Sequence, residues 1–201
     1  MFTKQRIEDS LLEFLTNCKY EDKILSQVFK IIILMHVSTN ILNVTNDVGD
    51  LFVEKGGLKL IIELLDVRVS EDKINWHVLD RLIESLFVFC LKDKNVKTLK
   101  IDNILKRLVD TIIKGIEVRR METVMQIIKV LTFFTDDQVT WSQIICRDVI
   151  KGCMMCLSTR DAIERKFILA LLNGKLNLNA MSCRYICEPN SNENHKRASL
   201  E

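Results

Sequence analysis

A chain of 201 residues is long enough to bury one ordinary core. With 28% charged and 48% hydrophobic residues, six glycines and one proline, its composition is that of an ordered, helix-rich domain and excludes disordered or collagen-like chains. The formal net charge of +2 creates no global field for nucleic acid or anionic lipid, so basic recognition would have to be local.

Taken in order, Met1 to Asp9 carries acidic residues and no apolar h-region, which argues against a signal peptide. Apolar residues then recur at three- and four-residue steps (Ile7, Leu11, Phe14, Leu15, Cys18), the stripe of a helix with one buried face. Asp22 is placed to cap a second helix over about Lys23 to Ser38, apolar around most of its circumference and so expected between neighbours. The runs Ile31 to Met35 and Leu86 to Leu91 are too short to cross a bilayer. Asn40 to Asp50 reads as a turn leading to a short helix, Val48 to Glu54, ended by Gly56-Gly57. A medium helix opens at Leu58 and gives way to a polar loop, Arg68 to Asp72, with Ser70 as a cap candidate. A long helix over about Lys73 to Leu91 follows.

Beyond it, a lysine-rich connection (Lys92, Lys94, Lys97, Lys100) leads to a helix from Asp102 to Lys114, closed by Gly115. A long helix is expected over Glu117 to Thr135, a short segment around Val139 to Cys146, a medium helix over Arg147 to Leu157, and a last helix from Ala162 to about Leu176. Ser158-x-x-Asp161 has the spacing of a capping box, with Asp in place of the usual Glu or Gln. The domain is assigned to residues 1–178, and residues 179–201, with Pro189 among Asn, Ser and Glu, to a flexible tail.

The medium helices repeat. Leu11, Leu58, Leu105 and Ile150 are spaced by 47, 47 and 45 positions. Core positions follow in step: Phe14, Leu15 and Cys18; Ile61, Ile62 and Leu65; Leu108, Val109 and Ile112; Cys153, Met154 and Leu157. Short, medium and long helix in rotation at such a period is the plan of stacked helical units, none of which buries its apolar faces alone. The expected fold is all-α, a right-handed α-solenoid of about four repeats.

The segment Asp50-Leu51-Phe52-Val53-Glu54-Lys55-Gly56-Gly57-Leu58 through Leu64-Leu65 resembles the armadillo repeat, in which a short helix ends in a glycine-containing turn before a leucine-rich helix. Residues 40 to 91 carry the resemblance, and the other units share its spacing and core pattern; HEAT repeats, built from helix pairs, are the nearest alternative. The resemblance implies a binding scaffold whose long helices line a concave groove. Family members that grip extended peptides use an asparagine near the end of each long helix. Here His36, Val88, Phe133 and Asn173 stand at that position, so only Asn173 fits, and capture of a nuclear-localisation peptide is not expected. Val88 and Phe133 would suit an amphipathic partner helix, or belong to the core. Polar residues that interrupt the apolar long helices, Arg81, Glu84, Gln126 and Lys129, are groove candidates, although a solvated helix face explains them equally well.

Other constellations carry less. Seven cysteines without a secretion signal are expected to stay reduced in cytoplasm or nucleus, leaving the Asn43-Val44-Thr45 sequon unused. Cys153 and Cys156, with Cys146, Cys183, Cys187 and His195, have zinc-ligand chemistry, but the Cys-x-x-Cys pair falls within a predicted helix and Cys153 aligns with core positions. No cofactor or metal is expected. No phosphate loop, dinucleotide fingerprint or His-Glu-x-x-His is present, and His36, His77 and His195 lack a partner motif, so no enzyme is expected. Lys100, Lys106, Arg107, Lys114, Arg119 and Arg120 belong to a basic stretch, residues 92–120, that could meet phosphates of nucleic acid or a phosphoinositide; few aromatics are interleaved, so a protein or peptide partner is preferred. Lys196-Arg197-Ala198-Ser199 has the pattern basophilic kinases favour, which marks Ser199. The first unit lacks an evident short helix and neither end a convincing polar cap, so a further partner, self-association, or origin as a piece of a longer chain is expected.

Overall fold

The structure, a computed structural model, describes residues 7–18, 21–42, 48–101, 104–135, 138–158 and 161–173, without the side chains of 36–42, 48, 100–101, 138–139 and 173. The predicted tail with Ser199, Cys183, Cys187 and His195 lies outside the described residues. Within them the chain is all-helical: α1 (Ile7–Asn17), α2 (Asp22–Leu42), α3 (Val48–Glu54), α4 (Gly57–Ser70), α5 (Trp76–Cys90), α6 (Asp93–Ile101), α7 (Ile104–Glu117), α8 (Met121–Leu131), α9 (Gln138–Ile144), α10 (Arg147–Cys156) and α11 (Ala162–Asn173). A 3₁₀ turn, Thr132–Phe134, extends α8. No helix among the described residues is long and apolar enough to cross a membrane.

The helices pack in two series. Helices α1, α4, α7 and α10 each touch the next, and so do α2, α5, α8 and α11; the expected difference in length between the two series does not hold throughout, since α7 has 14 residues and α8, expected over Glu117 to Thr135, has 11. The short helices α3 and α6 each touch the helix before and the helix after them. One continuous apolar core runs from Leu11 and Leu15 through Leu82, Leu86 and Ile112 to Phe167 and Leu171. Polar ties reinforce the stacking. Lys55 bridges α1 to the α3–α4 turn through Glu8 at 3.3 Å and Asp9 at 2.5 Å. Trp141 of α9 donates from Nε1 to the Leu171 carbonyl at 2.9 Å, supplying one of the partners that the last turn of α11 cannot find within the helix.

The glycine pair divides its work. Gly56 is left-handed, with φ of 90°, which frees the chain to reverse between α3 and α4. Gly57 lies against the Phe52 ring so closely that a Cβ would overlap it, and Phe52 in turn stacks on Phe89 with centroids 5.9 Å apart.

Several boundaries move. The expected loop at Arg68 is the last turn of α4, with Arg68 buried and bonded to Asp22 at 2.9 Å and Glu71 at 2.8 Å. Asn75, not Ser70, caps α5, accepting from the Val78 N–H at 3.4 Å. The lysine-rich connection is a helix, α6: Val96 and Leu99 are buried, and Asn95 Nδ2 donates to the Phe89 carbonyl at 3.0 Å, so the segment is pinned under α5. Gly115 does not close its helix. It sits inside α7 because Val124 approaches there, and Arg119, with φ of 58°, takes the left-handed terminating position. Asp161 caps α11 itself, accepting from the Ile163 and Glu164 N–H groups at 2.7 and 3.4 Å, rather than closing a box begun by Ser158.

Candidate functional site

Polar residues of α5 and α8 form a strip. On α5, His77, Asp80, Arg81 and Glu84 recur at helical spacing and lie on one side, all at least partly exposed. Arg81 and Glu84 pair at 2.6 Å, a half-exposed contact that leaves both charges available to solvent. On α8, Glu122, Gln126, Lys129 and Phe133 continue the same side by steps of four, three and four residues. Glu122 is exposed and Gln126 partly so.

Cross-helix hydrogen bonds hold the strip. Ser26 and His77 Nε2 meet at 3.2 Å between α2 and α5, and Thr123 of α8 donates to Asp80 of α5 at 2.5 Å. Lys129 is 3% exposed and bonds Glu164 of α11 at 3.2 Å. Lys129 is therefore a tie between α8 and α11, closed off by the helix that follows it. Phe133 is half-buried, edge-on to Phe87 with centroids 5.5 Å apart, and Phe87 meets Phe167 in the same way at 6.0 Å. Val88 is buried in the core. Asn173 is the last residue of α11 and the backbone of His36 lies in α2; their side chains are outside the described set.

At one end of the strip, where α2, α5 and α8 begin, a polar cleft of about 620 Å³ opens between Asp22, Asn75, Trp76, His77, Asp80, Arg120 and Glu122. Charges of both signs beside an indole suit hydrogen-bonded recognition of a mixed polar and apolar ligand surface. His77 has Ser26 as a neighbour but, among the described residues, no carboxylate bonded to its other ring nitrogen. The spacing of His77, Asp80, Arg81 and Glu84 on one helix could have marked the first two from sequence; Thr123 and Ser26 had no such signal, because their partners lie 43 and 51 residues away.

The other candidates are distributed differently. Cys153 and Cys156 are buried in α10, and burial pushes their thiols up to about 12 and about 11. Among the described residues no group of three or more His, Cys, Asp or Glu side chains is placed to hold a metal ion. Within the basic stretch, Arg107 is paired with Asp66, and Lys114 donates to the Val69 carbonyl, so both brace α7 against α4. Lys106, Arg119 and Arg120 are exposed, and the Lys100 side chain is outside the described set. Lys92 and Lys94 both meet Asp50 at 2.9 Å. Burial pushes the Asp50 carboxyl up, but the hydrogen bonds from Lys92 and Lys94 outweigh it and hold the group below its ordinary value. No protein-family model matches the chain, and neither a curated protein nor a solved structure matches it significantly.

Proposed function

We propose that the chain is a non-enzymatic interaction scaffold, an armadillo-like right-handed solenoid that takes a protein segment across its long helices α2, α5, α8 and α11. The observation that carries this reading is the polar strip His77, Asp80, Arg81, Glu84, Glu122 and Gln126. Its members are partly or fully exposed, while cross-helix bonds fix the helices that present them. A rigid wall of half-satisfied polar groups loses little freedom when it binds, which favours recognition over general solvation. Phe133, at the far end, would offer an aromatic contact to an apolar side chain of the partner. The pairing of Arg107 and Lys114 inside the stack leaves fewer free cations for phosphates than the sequence offers, so the alternative of a nucleic-acid or phosphoinositide surface has weaker support.

Selection of a displayed random-peptide library on the immobilised chain tests the reading. Selected peptides should lose at least tenfold in affinity for Arg81→Glu combined with Gln126→Glu, and keep it for Lys106→Glu combined with Arg119→Glu. Binders indifferent to the first pair would defeat it. Lys129 is unsuited to such a test, since reversing a buried, paired charge unfolds a protein by about 3–5 kcal/mol rather than editing its surface.

A further inference from the structure

Exposed large apolar side chains are concentrated at the two ends of the stack. Among the described residues nine stand out: Ile7, Phe14, Ile31 and Leu34 lie on α1 and α2, Ile150, Met154, Met155 and Leu169 on α10 and α11, and Val118 between. The internal repeat explains why. Phe14 is 50% exposed, whereas its counterparts Ile61, Leu108 and Cys153 are 0% exposed. On the other helix series, the alignment that places His36, Val88, Phe133 and Asn173 together matches Ile31 with Ile83, Ile128 and Ile168, and Leu34 with Leu86, Leu131 and Leu171; the first-unit members are 46% and 58% exposed and all six others 0%. A position buried in every unit except the first is one that the preceding unit covers. The mirror case holds at the other end. Leu11 and Leu15, then Leu58 and Ile62, are buried, Leu105 and Val109 are half-buried, and Ile150 and Met154 are 40% and 60% exposed, as expected of positions that a following unit covers.

The first unit thus presents a receiving face and the last unit the face that such a receiver fits. We propose that the chain associates head to tail with a second copy of itself, the α10–α11 face of one molecule seating on the α1–α2 face of the next. Phe14, Ile31 and Leu34 would pack against Ile150, Met154 and Leu169, in the manner of α4 and α5 on α1 and α2 within one chain. One interface then buries both apolar faces. Lys30, exposed where Leu82, Ile127 and Phe167 are buried, marks the rim of the receiving face and holds the affinity below that of an internal junction. The inference rests on the stacking of units and not on the polar strip, so the two can fail separately.

A contact of this kind uses two different surfaces, which makes it testable by mixing. Sedimentation velocity of the full chain should show a mass that rises with concentration past the dimer, or that stops only where a ring closes. Phe14→Glu with Leu34→Glu blocks the receiving face, and Met154→Glu with Leu169→Glu blocks the donating face; all four sites are exposed, and circular dichroism checks that each variant stays folded. Each double variant alone should be monomeric, and an equimolar mixture should give a one-to-one dimer that grows no further. Lys30→Leu should tighten the assembly severalfold. A wild-type chain that stays monomeric at the highest attainable concentration would overturn the proposal, whatever else covers these faces. So would a donating-face variant that still dimerises, since that would mean a symmetric contact between two receiving faces.

Discussion

Arg119 is the residue where local preference and the fold disagree most plainly. Its left-handed backbone lets the Arg119 N–H reach the Ile116 carbonyl at 3.2 Å and the Arg120 N–H reach the Gly115 carbonyl at 2.8 Å, the double bond of a helix end that glycine usually supplies. A side chain in that conformation costs about 1 kcal/mol, which the turn into α8 offsets. Arg119→Gly should therefore stabilise the chain by about 0.5–1 kcal/mol, less than the full strain because glycine also loosens the unfolded chain. Urea unfolding would show it as a higher midpoint at unchanged slope, and a lower midpoint would contradict it. Asp66 is a second such case. It touches Arg107, yet burial, with Glu63 adding to it, pushes its carboxyl above the ordinary value against the pull of that arginine. The pair positions α7 on α4 more than it stabilises a charge.

At the scale of the element, the α3–α4 turn separates two functions that adjacent glycines share. Gly56 has open space around its missing side chain and is needed for its backbone angle alone; Gly57 is needed for closeness to Phe52. Gly56→Ala should cost about 1–2 kcal/mol from the left-handed penalty. Gly57→Ala should cost more, about 2–3 kcal/mol, because Phe52 is held by Phe89 and has nowhere to move without disturbing the core. Thermal unfolding of both variants would rank them, and equal losses would mean that the Phe52 ring yields easily. The sequence showed that a glycine pair ends α3. It did not show that only the first glycine makes the turn, since that depends on a ring brought in by packing. Helix α6 was hidden for a related reason. Its lysines read as a loop, and only Asn95 reaching the Phe89 carbonyl, with Val96 and Leu99 beneath α5, shows what orders it.

For the whole molecule, the proposed solenoid of stacked units predicts opening from the ends inward. The buried thiols report on this. Cys90 lies at the centre and burial raises its pKa far above neutrality, while Cys153 and Cys156 lie in the last unit at about 12 and about 11. At neutral pH none presents thiolate without opening. Alkylation under native conditions followed by peptide mapping should label the half-buried Cys18 and Cys146 first, Cys153 and Cys156 later, and Cys90 last. Cys90 labelling together with Cys153 would indicate one all-or-none opening. In a head-to-tail assembly the last unit gains a neighbour, so the lag of Cys153 and Cys156 should lengthen with protein concentration.

What the amino-acid sequence determined by itself is most of the helices, α6 excepted, and the apolar face of each, because period and spacing act over a few residues of one helix. The tertiary structure decided which of those faces are covered. Phe14, Ile31, Ile150 and Met154 carry the same periodic signal as Ile61, Ile83, Leu105 and Val109, and differ in how far the described residues around them cover them. Lys129 differs from Gln126 in the same way, being closed off by a glutamate 35 residues downstream. Burial is a property of neighbours, and a helix pattern specifies the need for one without supplying it.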